Sequence, residues 1–348
     1  MISIHTFQIQ MYLDKKKYKE IKRKLGVPSK RNSWTEHRYS NWGINIKIHK
    51  TGKNFIYLRY VVNPQRIIKP KDYLHLFNPT VENVAKVWEV IKRTWEEIGC
   101  GEPFEGFYLS RIDFTYDFYA DSEEMVKEYI RLLSKCILVP SDRKCTVDGI
   151  FHLNKDAETK ADMGENCSKF EITQSESIQI YNKMYQLENE KIPVDGQGED
   201  AGRHILRVEL QVKRKQIQKW IQQVEELKGT SVEMQLGCFA MNARAFFISR
   251  IEKLYKPGKF YHMADIKQLI AGTGSLRKKS KQYAMELVEG CNRNISLGRC
   301  LEIDRQKGSQ KKYNKILGYL SSHGISPVCI KPKLKGYKTL PDIFENIW

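Results

Sequence analysis

The chain has no C-x-x-C pair; its eight cysteines, at positions 100, 136, 145, 167, 238, 291, 300 and 329, are scattered over 348 residues. That spacing argues against a zinc ribbon or a disulfide framework, so reduced thiols are expected. Long apolar runs are missing too. Nothing approaches the ~18 apolar residues of a membrane helix, and Met1 to Phe7 carries neither a basic n-region nor a long h-region. A cytoplasmic protein with no membrane partner is expected. There are no repeats and no low-complexity tracts. Acids are in deficit: 41 Asp and Glu against 59 Lys and Arg leave a net charge of +18. Such an excess attracts polyanions, nucleic acid first and anionic membrane second, although it also serves solubility.

What is present is alternation. In Arg111-Ile112-Asp113-Phe114-Thr115-Tyr116-Asp117-Phe118, the residues Ile112, Phe114, Tyr116 and Phe118 share one face, and Arg111, Asp113, Thr115 and Asp117 the other. Glu176 to Lys183 puts Ile178 and Ile180 opposite Gln179, Tyr181 and Lys183. Arg207 to Lys213 sets Val208, Leu210 and Val212 against Arg207, Glu209, Gln211 and Lys213. Side chains alternate along a strand, so each stretch predicts one apolar and one charged face. In one sheet, the charged faces would gather a phenol, carboxylates and cations on a rigid surface. That composition suits metal-assisted phosphoryl transfer. It equally suits a solvated face with ion pairs across strands.

Along the chain, Ile2 to Leu13 reads as a strand whose alternation breaks between Ile4 and Phe7, predicting a bulge or bend. Asp14 to Leu25 is a basic helix. Pro28 to Trp42 is a loop of cations interleaved with Trp34, Tyr39 and Trp42, either gripping a strand or pinned to the body. A hairpin over residues 43–62, a helix over 79–99 and a second helix capped by Ser122 follow. Gly149 to Leu153 reads as a short strand, and 191–203 as a polar loop. These elements predict an α+β fold: a central antiparallel sheet with one open polar face and helices on the other. Residues 1–228 would form this domain. Residues 229–348, mostly helical with basic runs at 276–281 and 305–315, would form a second that grips duplex DNA or oligomerises.

The ordered set resembles the single-tyrosine rolling-circle replication initiators of small plasmids and the related relaxases of conjugative elements. The resemblance spans about residues 55 to 225. It rests on Tyr60-Val61-Val62-Asn63-Pro64, Arg111 to Asp117, Ile180-Tyr181-Asn182-Lys183, and Leu206-Arg207-Val208-Glu209-Leu210 followed by Trp220. The family's sheet is a nickase or RRM-like one. The resemblance implies that Tyr181 attacks a DNA phosphate, forming a 5′-phosphotyrosyl bond and a free 3′-OH, and later rejoins the strand. It implies Mg²⁺ or Mn²⁺ on Asp113 and Glu209; Asp117 is a third candidate, one strand repeat from Asp113. Arg111, Lys183, Arg207 and Lys213 are the candidate DNA contacts, and Arg111 is also a candidate ion-pair partner for Asp113 or Glu209. Implied partners are origin DNA, both the single-stranded nick site and flanking duplex, a host helicase and a second copy of the chain.

Two departures stand out. The His-hydrophobic-His pair of many such nickases is absent, leaving His152 and His49 as candidates for one imidazole each. Gln179 stands where an arginine is frequent. Tyr185 is the alternative nucleophile, whereas Tyr116, on an apolar face, is expected to be buried. The competing class is a sequence-specific nucleic-acid-binding module without chemistry, docking bases on Tyr181 as RRM-like sheets do. A structural or regulatory protein of a mobile element is a third.

Overall fold

The computed structural model describes residues 2–28, 33–51, 55–99, 101, 103–139, 165–193, 204–293, 296–306, 310–332, 334 and 336–347. Among them an eight-stranded antiparallel sheet runs in the order β2-β3-β4-β1-β5-β8-β7-β6. Its strands are β1 (Ile2–Tyr12), β2 (Ser33–Glu36), β3 (Ile44–Thr51), β4 (Phe55–Val62), β5 (Tyr108–Ala120), β6 (Cys167–Thr173), β7 (Glu176–Asn182) and β8 (His204–Lys213). The three alternating stretches thus become neighbours: β5 pairs with β8, and β8 with β7.

The apolar sides of these strands, among them Phe7, Ile46, Leu58, Ile112, Phe114, Val208, Leu210 and Ile178, face one core. After helices α1 (Lys15–Lys24) and α2 (Pro64–Ile68), helix α3 (Val81–Ile98), capped by the Thr80 side chain, buries Trp88 and Trp95, and the Trp88 ring lies 6.4 Å from Phe7. Helix α4 (Glu123–Cys136) starts where the sequence predicts, with Ser122 accepting from the Met125 amide. Helix α6 (Arg214–Gln223) leaves β8 directly and brings Trp220 to 6.0 Å from Phe114.

The stretch after Gly229 is helical, as α7 (Val232–Met241) and α8 (Ala243–Leu254). These helices do not stand apart. Phe246 stacks 5.8 Å from Phe114, Tyr116 donates from its hydroxyl to the Ile343 carbonyl at 2.8 Å, and Phe344 packs beside the same ring. The core is therefore continuous across residue 229, where the sequence reading divides the chain: residues beyond it supply part of the cover for the sheet's apolar face. Helices α9 (Met263–Gly272), α10 (Lys278–Asn292), α11 (Leu297–Gln306) and α12 (Gln310–Ser322) pack outside. Among the described residues, no helix is long and apolar enough to cross a membrane.

The polar face departs from expectation. At its β5–β8–β7 end it is covered, not open. Helix α5 (Lys183–Asn189) follows β7 without a loop and brings Leu187 against Ile205 of β8 and Leu74. Ile205 shares the side of β8 that carries Arg207 and Glu209, so an apolar residue on that side seeds a second small cluster. The β4–β1–β5 end keeps exposed rings, with Tyr12 48% and Phe55 54% exposed.

Candidate functional site

Register assembles the site. Across β8–β7, Arg207 faces Tyr181 and Glu209 faces Gln179; across β8–β5, Arg207 faces Asp117, Glu209 faces Thr115 and Gln211 faces Asp113. Tyr181 and Glu209 are therefore diagonal neighbours, within reach of long side chains. The Tyr181 hydroxyl donates to Glu209 Oε1 at 2.6 Å. His5 Nδ1 lies 3.0 Å from the same oxygen. His5 reaches it because β1 carries a bulge against β5 between Ile4, opposite Phe114, and Thr6, opposite Asp113. The extra residue turns toward the polar face. The broken alternation from Ile4 to Phe7 marks this bulge, but no local pattern distinguishes His5.

The electrostatics follow from burial. Tyr181 is 2% exposed; desolvation, reinforced by the Glu209 charge, holds its pKa well above that of a free phenol. Burial also raises the pKa of Glu209, but attraction to His5 and Arg207 and the hydrogen bond from Tyr181 outweigh it, and the net shift is downward. The proton of the pair thus rests on the phenol. Arg207 is fully buried: Nε and Nη2 each donate to Asp117 at 2.7 Å, and Nη2 also donates to the Leu74 carbonyl at 2.7 Å. Its Nη1 is buried with no hydrogen-bond partner among the described residues. Such an orphan donor is rare, because an unpaired buried polar group costs about 1–3 kcal/mol.

Arg111 pairs with Asp113, Nε donating to Oδ1 at 2.7 Å and Nη2 to Oδ2. With its oxygen turned to the guanidinium, the Gln211 amide accepts from both nitrogens at 3.0 Å. Burial raises the Asp113 pKa more than Arg111 lowers it. Lys183 is the first residue of α5, whose N-cap is Asn182, and the helix turns its side chain inward, where Nζ donates to Gln186 at 2.9 Å. It is 3% exposed, and burial, with repulsion from Arg207, lowers its pKa to about 7.

Several expected roles are not in place in this arrangement. Lys183 and Arg207 are enclosed and meet no outside phosphate in this arrangement. Lys213, half-buried and opposite Arg111, sits at the other end of β8 from Arg207. His49 lies on β3, four strand positions from β8 and so about 19 Å away at ~4.8 Å per strand, with its ring 5.1 Å from Tyr57. It cannot complete a site at Glu209. His152 and the strand read over Gly149 to Leu153 lie outside the described residues. Tyr185 is helical, in α5, and Tyr116 is buried as expected.

A divalent ion does not fit the residues in this arrangement. Both oxygens of Asp113 accept from Arg111 and both of Asp117 from Arg207, while Glu209 Oε1 already has two partners. Asp113 and Asp117 are each paired with a guanidinium group and Glu209 is held by Tyr181 and His5, so a dication could bind only by displacing a partner already in place. Among the described residues, no group of three or more His, Cys, Asp or Glu side chains could hold a metal ion. Comparison with models of known protein families and with characterised proteins found no match to this chain.

Proposed function

We propose that the chain nicks and rejoins one strand of DNA through Tyr181, as a rolling-circle replication initiator, or as a conjugative relaxase using the same chemistry. The observation that carries this reading is the 2.6 Å hydrogen bond from Tyr181 to Glu209, with His5 on the same carboxylate oxygen. In the step, Tyr181 Oη attacks phosphorus and its proton passes to Glu209. The P–O3′ bond breaks, and the departing 3′-oxygen takes up a proton to leave a 3′-OH. The product is a phosphotyrosyl diester at the 5′ side; attack by a 3′-OH reverses it. Arg207 Nη1, which has no acceptor among the described residues, is the group that a phosphate oxygen would satisfy.

The buried arrangement is the resting one. With Tyr181 2% exposed, a phosphodiester reaches Oη only after whatever covers the ring moves, and that opening also exposes Arg207. The ion implied by the family resemblance would enter only if Arg111 or Arg207 released its carboxylate. The same burial favours a second reading, a nucleic-acid-binding protein without chemistry. The deciding experiment incubates the protein with supercoiled DNA carrying the sequence around its own gene, with Mn²⁺ and with chelator, for wild type and Tyr181→Phe. A nick and a covalent protein–DNA adduct in wild type, both absent in Tyr181→Phe, are expected. DNA binding with no cleavage by wild type under either condition would leave the binding module.

A further inference from the structure

The open end of the polar face carries a cluster that the nicking reading does not use. On β1, Gln10 and Tyr12 point to the polar side, opposite Arg59 and Tyr57 of β4; Gln10 also faces Tyr108 of β5. The Tyr12 ring lies 5.2 Å from Phe55, edge to face, and 5.7 Å from Tyr108. Arg214, the first residue of α6, sets its guanidinium 3.7 Å over the Tyr108 ring, and Arg59 lies 4.9 Å over Tyr57. Hydrogen bonds fix the posture of these groups. Arg214 Nη1 donates to the Tyr12 hydroxyl at 3.1 Å, Gln10 Nε2 to the Tyr108 hydroxyl at 2.9 Å, and Arg59 Nη2 to Gln10 Oε1 at 2.9 Å.

We propose that Tyr12, Phe55, Tyr57 and Tyr108, with Arg59 and Arg214, form a stacking platform for single-stranded DNA. Tyr12 and Phe55 are about half exposed yet touch each other, so among the described residues an apolar, aromatic surface is held in water. Planar bases fit such rings, and the two guanidinium groups suit the phosphates between them. Charge complementarity agrees: Lys47, facing Arg59 from β3, is exposed, and the chain carries +18 overall. Duplex DNA fits poorly, because its base faces are already stacked. The platform lies along β1 from His5 by seven residues, roughly 20 Å at ~3.3 Å per residue, so one strand could cross the sheet between the two sites. The proposal rests on the nucleic-acid reading of this sheet but not on Tyr181 acting as a nucleophile.

The test is fluorescence anisotropy with the full chain, a labelled mixed-sequence single strand and the same strand annealed to its complement. Wild type is expected to bind the single strand more tightly than the duplex. Tyr12→Ala/Phe55→Ala is expected to weaken single-strand binding about tenfold or more and to leave duplex binding unchanged. Tyr12→Phe, which keeps the ring, is expected to bind like wild type. Arg214→Ala is expected to weaken binding and flatten its salt dependence. The exposure of Tyr12 and Phe55 makes their removal tolerable to the fold, and an unchanged melting temperature checks this; Phe55→Ala alone serves if the double variant melts early. Unchanged single-strand affinity in the folded ring-deletion variants overturns the proposal, as does a wild-type preference for duplex. A protein that binds through this platform but never cuts would overturn the nicking reading and leave the platform standing.

Discussion

Replacing Lys183 by methionine should stabilise the protein, and the gain should depend on pH. Lys183 is 3% exposed, and burial first, then the nearby Arg207 charge, bring its pKa from 10.5 to about 7, although Glu209 pulls the other way. Between these values the unfolded chain holds a proton that the native lysine has released. Native stability therefore rises with pH through this window, and the penalty of burying the lysine is full below it. At about 1.4 kcal/mol per pH unit, the window from about 7 to 10.5 corresponds to at most ~5 kcal/mol. Loss of the hydrogen bond to Gln186 offsets roughly 1 kcal/mol of that. Methionine fills nearly the same volume without a charge. Urea unfolding of wild type and Lys183→Met at about pH 6 and about pH 9.5 reads the difference. The variant should be the more stable by a few kcal/mol at the lower pH and by much less at the higher one. A difference that does not change with pH would refute the reasoning, because the titrating group would then not be Lys183.

Other consequences can be checked alongside. Arg207→Met should destabilise by about 3–5 kcal/mol by leaving Asp117 charged and unpaired in the interior, and Asp117→Leu in the same chain should restore most of it; chemical denaturation of the four-member set measures both. His5→Ala should reduce acid sensitivity. The net pKa of Glu209 is lowered, so its stabilisation is full above the ordinary glutamate range and lost as pH falls through the folded value. Removing the attraction to His5 shrinks that loss, which an acid titration of circular dichroism would show. Tyr181→Phe removes the donor to buried Glu209, so it should lose about 1–3 kcal/mol of stability yet still fold, while forming no DNA adduct. A variant that still forms the adduct would move the nucleophile elsewhere.

Much of this arrangement could be read from residue order. The strict alternation of Arg111 to Phe118, Glu176 to Asn182 and Arg207 to Lys213 determined three strands and which side chains share a face, because the period of a strand is two. Ser122 marked the start of α4, and the helical spacing of Trp88, Ile91 and Trp95 marked the buried side of α3. The break between Ile4 and Phe7 announced a bulge, yet only pairing with β5 showed that the bulge carries His5 to Glu209. The pairing of Arg111 with Asp113, two positions along one strand, was already open to a reading of the sequence; tertiary structure alone decided that Arg207 pairs with Asp117 and Tyr181 with Glu209. Those pairings depend on strand order and register across residues up to ninety positions apart, which no local pattern encodes. It also decided which end of the polar face stays open. Ile205, Leu187 and Leu74 are unremarkable apart and become a cover only when α5 folds back on β8, since hydrophobic burial rewards whichever apolar groups the chain brings together and takes no account of their spacing in sequence.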